Sequence, residues 1–177
     1  TSAAKILMNG NENNYTFHLV GDGNRKKEIE EKIMKEKITN IKLHKSVDKR
    51  KIPSILISSD ILIITMKKSE IYEYGMSLNK LYDYMASGKP IIFSAEVPDN
   101  PVYISKCGYT VSPEKPEEIV SALKEFSKLN LKEREQMGIK GRQYVAKYHN
   151  MDTLTDSYIH EIDELLSSDK DLYKTVI

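Results

Sequence analysis

Short, mostly apolar runs that stop at structure-breaking residues constrain this chain more than any other feature. The run at Phe17–Val20 leads into Gly-Asp-Gly, the run at 61–65 follows a helix-like stretch, and the run at Ile91–Ser94 comes directly after Gly-Lys-Pro. Runs of this length are typical of strands that are buried on both faces of a parallel sheet. Weaker runs at 41–43 and 109–111 indicate two more strands.

Helix-like segments separate and follow these runs, at 25–36, 50–59, 78–87, 116–128, 132–147 and 151–167. Strands that alternate with helices predict an α/β fold, because each helix carries the chain back to start the next parallel strand. We therefore expect a doubly wound, Rossmann-like parallel sheet with helices on both faces, right-handed crossovers and a helical C-terminal extension.

The last predicted helix carries an apolar stripe, made of Leu154, Tyr158, Ile162, Leu165 and Leu166. A stripe of this kind must cover another apolar surface. Two alternatives stay open: the stripe closes this domain, or it crosses to another domain.

The domain organisation predicted here is one domain over residues 1–167 followed by a tail at 168–177. Residues 3–9 read as the end of a helix, whereas a doubly wound sheet usually opens with a strand. This pattern predicts that the chain begins within a larger protein and that the first strand of the sheet is missing.

The composition is that of an ordinary soluble globular chain, with 40% hydrophobic and 30% charged residues. A net charge of +1 offers no electrostatic footprint for nucleic acid. The only cysteine, Cys107, excludes an internal disulfide and suits a reducing, cytoplasmic compartment. The four histidines show no metal-ligand spacing, so that we expect no metal and no cofactor.

The segment 74–94 holds most of the functional information. If Ser77 caps the helix, Lys80 stands in its first turn and Asp83 follows on the same polar face. A positive charge at the positive end of a helix is sensible where an anion binds, and a phosphate or diphosphate is the best candidate. A carboxylate one turn further can accept two hydroxyl hydrogen bonds, as a ribose diol offers. The alternative is a surface ion pair between Lys80 and Asp83.

The Gly-Asp-Gly turn at 21–23 is a weaker signal. It lacks the spacing of a dinucleotide fingerprint, so that NAD binding is not expected. Arg25, Lys26 and Lys27 follow it, and they either face a donor phosphate or form a solvated basic face paired with glutamates downstream.

Residues 74–85 resemble a signature of retaining glycosyltransferases of family 4, in the branch that builds bacterial surface polysaccharides. The signature is Tyr-Gly-(Ile/Met)-Ser-Pro-Asn-Lys-Leu-(Phe/Tyr)-(Glu/Asp)-Tyr-Met, and here Leu78 replaces the proline. Residues 83–91 resemble the donor-side motif Glu-(Ala/Tyr)-Met-Ala-x-Gly-Lys-Pro-(Val/Ile). The turn at 20–23 and the helix-to-strand joint at 57–63 are also similar, and the resemblance covers about residues 3–165.

This resemblance implies the C-terminal donor-binding domain of a GT-B enzyme. The parent would move a sugar from a nucleotide diphosphate sugar, UDP-linked, to a polysaccharide or lipid-linked acceptor with retention. The acceptor would bind an N-terminal domain of the same parent, so that this chain alone is expected to be inactive. The resemblance also implies a bacterial cytoplasmic protein and allows peripheral association of the parent with the inner face of the membrane.

The resemblance further implies roles for individual residues. Asp83 corresponds to the acid that binds the ribose, the backbone at 76–79 to the helix start that holds the diphosphate, and the loop 45–47 to the wall beside the base. The implied donor-binding residues are Gly21, Asp22, Ser46, Val47, Gly75, Met76, Ser77, Leu78, Asn79, Lys80 and Asp83.

One departure from the family pattern leaves the catalytic residues unassigned. Many members carry a glutamate eight residues before the ribose acid, where this chain has Gly75. Glu70 and Glu73 are near but out of register. Two other functions therefore stay open: a non-catalytic Rossmann-like module that binds a partner protein, and a nucleotide-sugar epimerase of the same fold.

Overall fold

Parallel strands alternate with helices along the chain. The computed structural model describes residues 1–12 and 14–172, with side chains up to residue 167. The strands are β1 Phe17–Val20, β2 Ile41–His44, β3 Leu62–Thr65, β4 Ile91–Ser94 and β5 Gly108–Val111. The helices are α1 Ser2–Asn9, α2 Lys26–Lys35, α3 Ile52–Ser58, α4 Asn79–Ala86, α5 Pro101–Ser105, α6 Pro116–Lys128, α7 Leu131–Tyr148 and α8 Met151–Leu172.

All strand pairs are parallel, which confirms the predicted fold class. In the described residues the strands form two hydrogen-bonded sheets, one of order β1-β2 and one of order β3-β4-β5. Phe17 lies opposite Ile41 in the first sheet, and Ile91 lies between Leu62 and Gly108 in the second.

Helices cover both faces of the larger sheet because its strands are apolar on both sides. Leu62 and Ile64 of β3 pack with Leu81 and Met85 of α4 on one face. Ile63, half-buried, packs on the other face against the cluster formed by α1 and α6. The polar side of α4 is thereby turned towards solvent.

A groove of about 660 Å³ separates the two sheets. Its walls are β1 on one side and the residues 61–63 on the other. Because β1 pairs only with β2 and β3 only with β4 among the described residues, each strand has an unpaired edge towards the groove. Ile55 of α3 and Leu123 of α6 also line it.

The sequence pattern did not predict α5 or the 3-10 turn at Glu70–Tyr74. Both have only five residues, too few to show a helical period. The start of α5 is fixed by Asn100, whose side-chain oxygen accepts hydrogen bonds from the N–H groups of Val102 and Tyr103.

The C-terminal extension is helical, as predicted, but it is longer and less covered. Helix α8 continues past the predicted end at 167 to Leu172, and residues 173–177 of the predicted tail lie outside the described residues. Near the start of α8, the hydroxyl of Thr153 donates to the carbonyl of Lys147 in α7, whereas Tyr158 and Leu165 of the apolar stripe are 71% and 67% exposed. The alternative in which the stripe closes this domain is therefore wrong for the described chain.

Helix α7 packs unusually close to α4, and two glycines make this possible. A Cβ atom on Gly138 would lie 1.9 Å from the carbonyl oxygen of Gly88, and one on Gly141 would lie 2.9 Å from the Cβ of Cys107. Cys107 is fully buried there and belongs to the core cluster below α4.

We expect Gly138→Ala to destabilise the protein despite alanine's better helix propensity. Overpacking typically costs about 1–3 kcal/mol, and a backbone carbonyl cannot rotate away, whereas the propensity gain is about 1 kcal/mol. Gly10→Ala is the control, because its nearest atom would be 3.4 Å away. Urea denaturation followed by circular dichroism measures both, and equal stability of the two variants would contradict this packing.

Candidate functional site

The loops that follow β1, β2 and β3 carry every residue of the predicted site that precedes α4. Carboxyl ends of parallel strands are where ligands bind in open α/β folds. The predicted residues therefore lie at the edge of the sheets where ligands bind in this class of fold.

Asp22 joins the turn after β1 to the turn after β2. One carboxylate oxygen accepts hydrogen bonds from the N–H (2.9 Å) and the hydroxyl (2.7 Å) of Ser46, and the other contacts the ammonium of Lys26. The Lys26 contact first, and the Ser46 bonds next, hold the pKa of Asp22 well below its usual range. The structure thus brings Asp22 and Ser46 together and uses the Asp22 carboxylate to fix both turns.

The basic residues that follow this turn are paired. Arg25 donates two hydrogen bonds to Glu28, and Lys26 contacts Asp22. Arg25 is neutralised by a glutamate downstream, as the solvated-face alternative expected, whereas Lys26 is neutralised by Asp22 upstream. No free cationic cluster forms at these two residues.

Val47, half-buried, lines the groove beside the end of β2. In the same wall the rings of His18 and His44 stack with centroids 5.1 Å apart, and the His18 Nδ1 and His44 Nε2 atoms are 3.0 Å apart. His44 is therefore hydrogen-bonded within the fold.

Helix α4 begins without a side-chain cap. The prediction that Ser77 caps it is wrong, because the helix starts at Asn79 and the capping position falls on Leu78, which has no acceptor. The N–H of Leu81 closes the first turn on the Leu78 carbonyl at 2.8 Å. Within the described chain nothing accepts the N–H groups of Asn79 and Lys80, so that two donors point out of the helix start.

The side chains of Lys80 and Asp83 are exposed and unengaged. Neither forms an ion pair or a hydrogen bond with any residue that the structure describes. The surface pair that was the alternative explanation of this spacing is absent. The helix thus presents two amide donors, one ammonium and, one turn further, one carboxylate on its solvent side.

Within the 75–79 motif, Gly75, Met76 and Leu78 have structural roles. Gly75 adopts a φ of +100°, a region that favours glycine. Met76 and Leu78 are half-buried and pack on the core cluster below α4. Ser77 and Asn79 are exposed. Gly21 also has positive φ, at +144°.

A tether between loops was not predicted from the sequence. The N–H of Lys68 donates to a Glu114 carboxylate oxygen at 3.4 Å, and its ammonium lies 3.3 Å from Glu96. These contacts join the loops after β3, β4 and β5. They are invisible in the sequence because the partners are far apart along the chain, and no local spacing marks them.

The two glutamates nearest the missing acid of the family pattern are exposed. Glu70 and Glu73 both lie in the 3-10 turn after β3. No group of three histidine, cysteine or carboxylate side chains is placed to hold a metal ion in the part of the chain that is described. None of the described helices combines the length and hydropathy that crossing a bilayer requires.

A protein-family model and several solved structures match the chain. The family model described as "Glycosyl transferases group 1" matches residues 1–144. No curated protein sequence matches the chain.

Several solved structures share the fold. S. aureus TarM, as a mutant in complex with fondaparinux, alpha-GlcNAc-glycerol and UDP, superposes with a TM-score of 0.73 at 15% identity, over 90% of this chain and 31% of that chain. The C-terminal domain of the group 1 glycosyl transferase LpcC from Francisella tularensis has a TM-score of 0.63 at 21% identity, over 84% and 76%. A trehalose-6-phosphate synthase studied for glycosyl transfer with retention has a TM-score of 0.69 at 14% identity, over 92% and 41%.

These likenesses establish the fold, which is that of a GT-B Rossmann-like glycosyltransferase domain. The chain spans about a third of the TarM chain and two fifths of the synthase chain.

The Asp22 bridge predicts a local change in amide hydrogen exchange. Asp22→Ala removes the acceptor of the Ser46 N–H, so that exchange at Ser46 should accelerate by about tenfold, the equivalent of one lost hydrogen bond. Asp48→Ala is the matched control, because Asp48 accepts the N–H of Arg50 and not that of Ser46. Unchanged exchange at Ser46 in Asp22→Ala would show that the bridge does not hold the turn.

Proposed function

The chain belongs to the glycosyl transferases group 1 family, and on that premise we propose that it is the donor-binding domain of a retaining glycosyltransferase of family 4. The observation that carries the proposal is the start of α4, where unpaired amides and unengaged Lys80 and Asp83 side chains lie together on the solvent side. Its substrate is a nucleotide diphosphate sugar.

The diphosphate binds at the first turn of α4. The N–H groups of Asn79 and Lys80 have no internal acceptor, and the helix dipole adds partial positive charge there. The ammonium of Lys80 is free to approach the same anion. When the sugar–phosphate bond breaks, negative charge accumulates on the leaving diphosphate, and these fixed donors stabilise it.

The ribose binds one turn further along the same helix. Asp83 follows Asn79 at i+4, so that the carboxylate lies on the side of the helix that carries the free amides. An ionised carboxylate accepts two hydrogen bonds, which matches the two adjacent hydroxyls of a ribose. The spacing orders the nucleotide along α4 with its phosphates towards the helix start.

The turns after β1 and β2 complete the donor site. The loop 45–47 forms the wall beside the base, with Ser46 held in place by Asp22. Gly21 lies in the turn nearest the transferred sugar, where the absence of a side chain leaves room. Uridine is the proposed base, and the presence of UDP in the TarM complex supports it.

The reaction transfers the sugar with retention to a polysaccharide or lipid-linked acceptor in a bacterial cytoplasm, at or near the membrane. The glutamate that partners the donor sugar in the family pattern is replaced by Gly75, so that no catalytic side chain is assigned in this domain. The proton of the acceptor hydroxyl passes to an oxygen of the leaving donor phosphate. A structurally similar trehalose-6-phosphate synthase has been studied for glycosyl transfer with retention, which supports this stereochemistry.

The acceptor binds a second domain of the same parent protein. The exposed apolar stripe of α8 supports this arrangement, since a stripe of that size is normally covered. In the parent protein a further parallel strand would fill the groove between β1 and β3. Two unpaired strand edges face this groove and apolar side chains line it, which supports the proposal.

A non-catalytic protein-interaction module is the second candidate. Gly75 in place of an acid and the exposed stripe of α8 favour it. Sugar transfer by an intact parent protein would exclude this alternative.

Isothermal titration with UDP and with uridine tests the donor site. Asp83→Asn should weaken both ligands by roughly 10-fold or more, because it removes charged hydrogen bonds to the ribose. Lys80→Gln should weaken UDP by a similar factor and leave uridine unchanged, because uridine has no phosphate. Asp60→Asn is the control, since Asp60 is an exposed carboxylate at the amino end of β3, away from the site.

The wild-type chain is expected to bind UDP weakly, because the proposed acceptor domain would form the other side of the cleft. No binding of UDP, or equal binding by wild type and Asp83→Asn, would contradict the proposal. A Lys80→Gln variant that loses uridine and UDP affinity alike would contradict the placement of the diphosphate.

A further inference from the structure

The C-terminal end of α4 is capped by a side chain from a distant helix. Arg142 of α7 donates from Nε to the carbonyl oxygen of Ala86 (3.0 Å) and from Nη2 to that of Ser87 (2.8 Å). These carbonyls belong to the last turn of α4, where no further helical N–H is available to them. A cation at this end also complements the helix dipole. One guanidinium therefore satisfies two acceptors and the helix charge together.

The guanidinium fits a space that only a glycine leaves open. Gly88 has a φ of +73°, and a Cβ atom on it would lie 2.8 Å from Nη2 of Arg142. Gly138, one turn before Arg142, lets α7 touch the Gly88 carbonyl. The sequence Gly-x-x-Gly-Arg at 138–142 thus places a charged cap directly on the end of α4.

A ring stack holds α4 at a second point. Tyr82, the residue before Asp83, stacks on His149 with centroids 4.1 Å apart, and His149 also contacts the ring of Tyr144 at 5.6 Å. Burial lowers the pKa of His149, which favours the uncharged ring in this apolar contact. Helix α4 is therefore held at its middle and at its C-terminal end, both times from the end of α7.

The start of α4 is held by apolar packing alone, through Leu78 and Leu81 on its inner face. It lacks a side-chain cap, and Lys80 and Asp83 form no contact with the described residues that would fix its solvent side. An eight-residue helix is about 12 Å long, so that a tilt of about 5° at its far end moves the first turn by about 1 Å. A displacement of that size can cost about 100-fold where reacting groups must align.

We infer that Arg142 is a positioning residue for the donor nucleotide, which fixes the axis of α4 so that its first turn and Asp83 meet the diphosphate and the ribose together. The inference rests on the proposed function. Arg142 acts through α4 and does not touch the nucleotide. Its loss should disturb the first turn of α4 more than Asp83, because the first turn is further from the point of attachment.

The affinities of Arg142→Gln for UDP and uridine test this inference in the same 177-residue chain. We expect UDP to bind about tenfold more weakly, in line with a partly misplaced first turn, and uridine to lose less than about threefold. Arg142→Lys keeps the charge and one donor, so that it should recover part of the UDP affinity and serves also if Arg142→Gln does not fold. In a Lys80→Gln background, Arg142→Gln should reduce the UDP affinity clearly less than it does in the wild-type chain, because both substitutions act at the first turn of α4.

Phe126→Leu separates positioning from general stability. Phe126 is fully buried in the cluster formed by α1 and α6, on the opposite face of the sheet from α4. We expect this variant to lower the melting temperature and to leave the UDP affinity unchanged.

Two outcomes would overturn the inference while the proposed function stands: wild-type UDP affinity in Arg142→Gln, or an equal loss of UDP and uridine affinity in that variant. A loss of UDP affinity in Phe126→Leu as large as that in Arg142→Gln would also overturn the inference. If the wild-type chain does not bind UDP at all, the proposed function itself fails.

Discussion

The contact between the Gly88 turn and α7 sets the position of α4, whose first turn is the candidate binding surface. Backbone touches backbone there, because Gly138 has no side chain to separate the helices. This contact fixes the end of α4, while Leu81 and Met85 anchor its inner face in the core. With its C-terminal half immobilised, α4 can leave its first turn open to solvent. A helix start without a cap is costly for folding alone, and its free donors are available to a ligand.

Charge at the carboxyl edge of the strands is divided between two kinds of groups. Asp22, Lys26, Arg25 and Glu28 neutralise one another and hold the turns after β1 and β2 in place. Lys80 and Asp83 stay unpaired on α4. The paired groups hold the turns in place, and in the proposed donor site the unpaired groups would supply the contacts with the ligand. This division separates positioning residues from candidate ligand contacts.

The strand pattern and the polar face of α4 could be predicted from the sequence because both are local. Apolar runs between glycine and proline marked the strands, and the spacing of Lys80 and Asp83 placed them on one helix face. The sequence pattern places the start of α4 one residue too early, because serine is a common helix-capping residue and leucine, which stands at 78, is not. What the sequence could not indicate are the contacts across long separations. Arg142 on Ala86, Ser46 on Asp22 and Lys68 on Glu114 join residues with no common spacing. The exposure of the α8 stripe also depends on tertiary packing that no periodicity encodes.

The most direct test of the account is an NMR titration of the isotope-labelled chain with UDP. The account predicts that the amide signals of Asn79 and Lys80 shift most, together with those of the loop 45–47, and that uridine leaves the first two nearly unmoved. Shifts confined to other parts of the chain, with Asn79 and Lys80 unaffected at saturating UDP, would contradict it.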